Sequence, residues 1–256
     1  MTLTEAIVSG IVQGLTEFLP ISSSGHLVLV HGFFGFSQPG IFFDICLHVA
    51  TLGAVVIYFG RDIIQLARQK RTEWLLYLAV GTVPAVLAAL FFEDRITAFF
   101  TDTGKVGITL MATGLVLFAG EGALRVRKGL GDTASLKSSA AVGLAQALAL
   151  LPGISRSGMT ISTGLLSGMR TEEAFRFSFL LSIPAITGAV LYKGISREAA
   201  AAVSGNALNY AAGMFLAFVT GILSLRLLWW VLKRRRLYIF GAYCLVLGAC
   251  CLFFIK

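Results

Sequence analysis

Glu17 is the only ionisable residue between Glu5 and His26, in the run Gln13-Gly-Leu-Thr-Glu17-Phe-Leu-Pro20-Ile-Ser22-Ser23-Ser24-Gly25-His26. A carboxylate in so apolar a stretch is costly unless it has a partner or a task, and Glu17 is read as functional. Gln13 lies four residues earlier, so on a helix the two project from one face and can jointly hold a cation, a water or a hydroxyl. Pro20 ends that helix. Ser22, Ser23 and Ser24 then fall where the next one begins, as N-cap residues beside backbone N–H groups that attract an anion. His26 follows at helical spacing from Ser22 and Ser23.

A second run reads Pro152-Gly153-Ile154-Ser155-Arg156-Ser157-Gly158-Met159-Thr160, and Arg156 is the sole charge between Ser138 and Met169. A planar guanidinium with five donors suits a bidentate grip on phosphate. The bland alternative is an ion pair between Arg156 and Glu17, and the two readings coexist when no ligand is bound. Gln13, Ser22, Ser155, Ser157 and Thr160 are candidates for binding a substrate. His31 and His48 stand outside both runs and are expected to pack or hydrogen-bond at helix ends. Glu121, Arg226 and the Glu172/Arg176 pair sit near span ends or at a surface spacing, and no chemistry is assigned to them. An Arg, a Ser-rich helix start, a His and a carboxylate together suggest phosphoryl chemistry on an amphiphilic substrate. Transport of an anion is the competing reading.

These groups must be positioned by a membrane fold. Of 256 residues, 57% are hydrophobic and 13% charged, with a mean hydropathy of +0.84. A soluble domain carries about 25% charged residues, and no single water-facing core could hide this surplus. Uncharged runs predict six spans at 45–60, 74–92, 106–120, 177–192, 199–225 and 237–255. The N-terminus has no basic region, so its first apolar stretch is expected to belong to the fold rather than to a cleaved signal. A net charge of +8 could mean nucleic acid, but basic loops in a membrane chain report orientation, and no nucleic-acid partner is expected. The clusters Arg61/Arg68/Lys70/Arg71, Arg125/Arg127/Lys128/Lys137 and Lys233 to Arg236 all fit the cytoplasmic side, which leaves the N-terminal segment and the C-terminus outside. Cys46, Cys244, Cys250 and Cys251 lie in apolar runs without metal-ligand spacing and read as small buried hydrophobes.

Two further apolar regions, 6–36 and 138–169, are broken in the middle by Pro, Gly and Ser. A lipid-exposed helix cannot accommodate such a break, so both are expected to be re-entrant hairpins. At an offset of 133 residues Gly10 meets Gly143, Gln13 meets Gln146, Ser22 meets Ser155, Ser24 meets Ser157 and Gly25 meets Gly158. That pattern predicts an internal repeat. Three spans lie between the copies, so the second hairpin should enter from the opposite face, with the polar tips near the midplane. The predicted fold class is an all-α polytopic membrane protein: six transmembrane helices plus two opposed re-entrant hairpins in an inverted repeat. It divides into a first repeat (1–124), a basic cytoplasmic loop (125–138) and a second repeat (139–256).

At both tips the sequence closely resembles the undecaprenyl-diphosphate phosphatase family, the bacitracin-resistance family of bacterial membrane enzymes. The family motif (E/Q)-G-x-T-E-F-L-P-x-S-S-x-G-H is met by Gln13 through His26, and P-G-x-S-R-S-G-x-T by Pro152 through Thr160. The resemblance spans essentially the whole chain. It implies removal of the terminal phosphate from undecaprenyl diphosphate, regenerating the lipid carrier for peptidoglycan synthesis. It also implies a divalent cation, Mg²⁺ or Ca²⁺, and catalytic roles for Glu17, Ser23, His26 and Arg156. Gln13 stands where many members have Glu. In this reading Gln13 and Glu17 hold the cation, and Ser23 attacks with His26 as its base; attack by His26 or by a water activated through Glu17 stays open. The expected setting is the bacterial plasma membrane with the site on the outer side, among lipid partners and with room for a homo-oligomer. A transporter or flippase of lipid-linked or small anions is the alternative function.

Overall fold

The structure is a computed structural model that describes residues 1–36, 41–69, 72–99, 103–127, 133–193 and 206–254. Lys70, Arg71 and Lys128 of the basic clusters, and the start of the span expected at 199–225, lie outside the described residues. The described residues form helices throughout: α1 (Leu3–Phe18), α2 (Ser23–Phe34), α3 (Ile41–Tyr58), α4 (Gly60–Arg68), α5 (Thr72–Phe91), α6 (Glu93–Thr97), α7 (Thr103–Arg127), α8 (Leu136–Leu148), α9 (Arg156–Leu166), α10 (Thr171–Lys193), α11 (Ala207–Lys233) and α12 (Tyr238–Phe254). Four of them, α5, α7, α10 and α11, are long and apolar enough to cross a membrane; α3 and α4, bent 65° apart, make a fifth if counted as one span. The chain is therefore a multi-pass membrane protein. The last expected span corresponds to α12, which has only 17 residues. The ends of the segment expected as a basic loop are helical, since α7 runs through Arg127 and α8 starts at Leu136.

Both broken regions are helix–break–helix units with matching punctuation. A capping box opens α1, where the Thr2 hydroxyl accepts from Glu5 N–H and the Glu5 carboxylate accepts from Thr2 N–H; Ser135 and Ser138 do the same for α8. Leu19, held extended by the proline that follows it, stops α1. The second helices α2 and α9 start at N-caps Ser22 and Ser155, which accept from Gly25 N–H and Gly158 N–H. These partners stand 133 residues apart in both cases.

Breaking a helix frees backbone groups that lipid cannot satisfy, and neighbouring helices supply the partners here. From α7, Thr109 donates to Pro152 O at 2.5 Å and Thr113 to Gly153 O at 3.0 Å, while Thr113 also accepts from Ser155 N–H. Gly153 sits at φ +86°, and its α-carbon packs so closely on Thr109 that a side chain has no room. Ser157 reaches across from the second tip to donate to Leu19 O of the first at 3.3 Å. The two tips thus touch, with Gly25 against Gly153 and Gly158 against Pro20.

Small residues bring the flanking helices close enough to hold the tips. Gly10 and Gly14 of α1 pack directly on the α11 backbone at Gly213 and Ala217, and Gly143 of α8 packs on Gly81 of α5. Gly107 and Gly114 of α7 face Gly248 and Gly241 of α12, so these two helices run antiparallel. Below the first tip, the Phe18 ring meets Phe179 edge-on at 5.5 Å, and Phe179 stacks on Phe59 at 5.9 Å. This aromatic floor ties α1 and α10 to the bend between α3 and α4, where Phe59 sits. Described basic residues gather at one end: Arg170 and Arg176 line a cavity with Gln65 and Gln69 of α4, and Arg125 lies over the Tyr238 ring just beyond Lys233 to Arg236. Met1 lies at the other end, where its carbonyl accepts from Asn209.

Candidate active site

Glu17 is the hub where the tips meet. Its Oε1 accepts from Arg156 Nη2 at 2.6 Å, across the contact between the two hairpins. Its Oε2 accepts from Ser23 Oγ at 2.7 Å and from Gln13 Nε2 at 3.1 Å. Helix periodicity explains Gln13, one turn before Glu17 on the buried face of α1. Only the return of α2 brings in Ser23, and only the second hairpin brings in Arg156. The Glu17 and Arg156 side chains are 6% and 17% exposed, so this is a shielded pair in which each ion depends on the other.

Two polar atoms of the cluster are buried with no partner among the described residues: Arg156 Nη1 and Gln13 Oε1. A guanidinium engaged by one arm, with the other arm's donors unmet, fits a site for phosphate oxygens. Gln13 turns its amide nitrogen to Glu17, and a half-turn of the amide would set its unmet oxygen beside the carboxylate, the donor set a hard cation takes. The residues present therefore fit both groups the sequence led us to expect.

His26 lies in the first turns of α2 but does not pair with Ser23. Its Nδ1–H donates to Ser22 O at 2.7 Å, and its Nε2 accepts from Tyr243 OH of α12 at 2.8 Å, the two rings stacking at 5.7 Å. The Ser23 hydroxyl donates to Glu17 instead, which sets the carboxylate rather than the imidazole beside the expected nucleophile. Ser22, with φ +70°, is spent on capping, and its hydroxyl is shared with Ser24 at 3.3 Å. Ser155, Ser157 and Thr160 are also committed to protein. Ser155 caps α9, Ser157 donates to Leu19 O, and Thr160 bonds the Ser178 hydroxyl at 2.6 Å while donating to Arg156 O. Gln146, the counterpart of Gln13, donates to Gly81 O.

His48 differs from its expected role. On α3, its Nδ1–H donates to Asp44 O at 2.8 Å while its Nε2 faces Glu17 Oε2 at 3.7 Å, within the cluster. Asp44 Oδ1 is buried without a hydrogen-bond partner. The sequence did hold a signal for both: two ionisable residues one turn apart inside an apolar run, the same argument that singled out Glu17. His31 meets the packing expectation, bonded to Ser9 Oγ at 3.0 Å. Tyr243 carried no sequence signal.

With this geometry in place, the comparisons with known proteins decide the family. Residues 6–250 match the family model described as bacitracin resistance protein BacA. The chain belongs to the BacA family. Its similarity to curated relatives covers nearly the whole chain. It is 42% identical to the undecaprenyl-diphosphatase of Syntrophotalea carbinolica, over 97% of each chain. The undecaprenyl-diphosphatase of Moorella thermoacetica is 41% identical, over 97% of this chain and 96% of that one. An undecaprenyl-diphosphatase 4 from Bacillus thuringiensis is 40% identical, over 97% and 95%. Both tips fall inside the residues that the family model matches.

Proposed function

We infer that this chain hydrolyses undecaprenyl diphosphate to undecaprenyl phosphate and inorganic phosphate, recycling the lipid carrier of peptidoglycan synthesis and conferring bacitracin resistance. Within the structure, the observation that carries this reading is Arg156: one arm is held by Glu17 and the other is buried with its donors unmet, at the meeting point of two polar tips inside a membrane protein.

The leaving group is a phosphate monoester, already acidic, so neutralising charge and aligning a nucleophile matter more than protonating it. Arg156 holds the terminal phosphate. Ser23 Oγ forms the new bond to the terminal phosphorus as its proton passes to Glu17 Oε2, and the bridging P–O bond breaks to release the lipid monophosphate. In the second half, water attacks the phosphoserine and gives its proton to His26 Nε2 as the Tyr243 hydroxyl turns away from that nitrogen, the proton then passing to solvent, while the Ser23 oxygen leaves phosphorus and recovers its proton from Glu17. Gln13 and Glu17 would hold a divalent cation, Mg²⁺ or Ca²⁺ by the family resemblance, which when bound screens charge on the phosphate oxygens.

The scaffold in this reading has six spans, α3, α5, α7, α10, α11 and α12, around hairpins α1–α2 and α8–α9 in an inverted repeat. Supporting it are the caps of α2 and α9 at one offset and the pairing of Gly107 with Gly248 and Gly114 with Gly241. Two repeat-related helices that pack antiparallel are related by an axis across them, which lies in the membrane plane. The site belongs to the outer face of the plasma membrane in this reading, supported by the convergence of basic residues at the end away from Met1.

The test is phosphate release from undecaprenyl and shorter prenyl diphosphates by protein purified in detergent, with and without chelator. Cation-dependent release is expected, with a phosphoserine at residue 23 trapped by acid quench. Absence of release from folded protein overturns the activity. Release that survives chelation overturns the cation.

A further inference from the structure

His48 belongs to neither motif, yet its surroundings are those of a metal-ligating imidazole. Its Nδ1 lies 2.8 Å from the Asp44 main-chain carbonyl. A carbonyl oxygen only accepts, so the proton is fixed on Nδ1 and the lone pair is left on Nε2. That is how protein histidines are held when they bind an ion, with the outer nitrogen donating to a carbonyl and the inner one bare. The bare nitrogen faces Glu17 Oε2 at 3.7 Å. Two acceptors facing each other across such a gap repel unless something positive lies between them.

A cation held between Gln13 and Glu17 would fill that gap, and Gln13 has an amide oxygen that is buried without a partner. The Gln13 amide nitrogen lies 3.1 Å from Glu17 Oε2. Amide N and O exchange places by a half-turn about one bond. After that half-turn Gln13 and His48 each set an acceptor against the same carboxylate oxygen. Ligand atoms at about 2.0–2.4 Å from one ion lie roughly 3–3.7 Å apart, the range these separations span.

We propose that His48 Nε2 is a ligand of the divalent-cation site, beside Glu17 Oε2 and Gln13 Oε1, and that this nitrogen makes the site prefer a first-row transition cation such as Mn²⁺ or Co²⁺ over Ca²⁺. The proposal rests on the reading that Gln13 and Glu17 hold a cation. Imidazole is a poor ligand for Ca²⁺ and a good one for first-row transition ions. Among the described residues no three His, Cys, Asp or Glu side chains gather into an all-protein cage. The site is an open one, with the remaining positions left for water and for phosphate oxygens of the substrate.

Pulsed EPR on Mn²⁺ added to tag-free, full-length protein in detergent tests this without any turnover. The expected result is one Mn²⁺ per chain with nitrogen modulation from a single imidazole, converted to the ¹⁵N pattern when histidine is ¹⁵N-labelled. His48→Gln should remove the modulation and weaken Mn²⁺ about tenfold or more relative to Ca²⁺, with the metal-free melting temperature unchanged. If that variant does not fold, the double variant His26→Gln/His31→Gln, which leaves His48 as the sole histidine, decides: modulation that persists supports His48, and its loss overturns it. Stoichiometric Mn²⁺ without nitrogen modulation, or modulation that survives His48→Gln, overturns the role of His48 and leaves the Gln13–Glu17 site standing. Failure to bind Mn²⁺ stoichiometrically overturns both.

Discussion

Arg156 Nη2 and Glu17 Oε1 lie 2.6 Å apart although 139 residues separate them in the chain. Each comes from a different hairpin, so the pair closes only when both tips have reached the middle of the protein. Glu17 then serves as counterion, partner of Ser23 and neighbour of His48 at once. Holding the guanidinium by one arm keeps it oriented while its other arm stays available.

Replacing Arg156 by Lys should lower phosphate release at least about 100-fold, because a point charge cannot hold Glu17 and phosphate oxygens in one plane. Glu17→Ala should be the less stable variant, by about 3–5 kcal/mol, since it strands a buried guanidinium. Thermal unfolding in detergent beside the release assay separates the two effects. Near wild-type turnover in Arg156→Lys would remove this residue from the phosphate site.

Three consecutive serines should behave differently. Ser23→Ala should abolish turnover, because of the three serines it is Ser23 that donates to Glu17, whereas Ser24→Ala should cost little. Ser22 adopts φ +70°, so Ser22→Gly should be tolerated better than Ser22→Ala, which keeps the strained backbone and loses the cap. Equal, mild losses for Ser22→Ala, Ser23→Ala and Ser24→Ala in release assays would mean that the serines are caps alone.

Gly14→Ala should lower the melting temperature and loosen the hairpin, because an added methyl meets Thr220 and the Ala217 carbonyl of α11. Gly32→Ala is the control, with nothing within 4 Å of the added carbon, and should leave melting unchanged or raise it slightly. Identical melting of the two variants would show that α1 and α11 are not in contact at Gly14.

Single cysteines at Thr4 and Lys137, in a background with the four native cysteines replaced, should report opposite sides. A membrane-impermeant thiol reagent on spheroplasts should label Thr4→Cys and spare Lys137→Cys. The reverse pattern would place the basic residues outside and turn the site toward the cytoplasm.

Much of the site was legible in the sequence because its residues are ionisable or polar where the solvent is lipid. Glu17 and Arg156 stood out for that reason, and Pro20, Gly153 and the serines marked where helices break. The offset of 133 residues matched the two tips, and the structure gives both the same caps. Other things depended on distances between chain segments far apart in sequence. Local spacing suggested His26 as the partner of Ser23, but the ring turns to Ser22 O and Tyr243, and Glu17 receives the Ser23 proton. His48 looked like a packing residue until α3 placed it against Glu17. Sequence by itself determined which groups must be buried in the membrane, because the cost of burial belongs to each residue. Only the tertiary structure decided which group meets which, because hydrogen bonds and ion pairs depend on ångström separations fixed by helix packing.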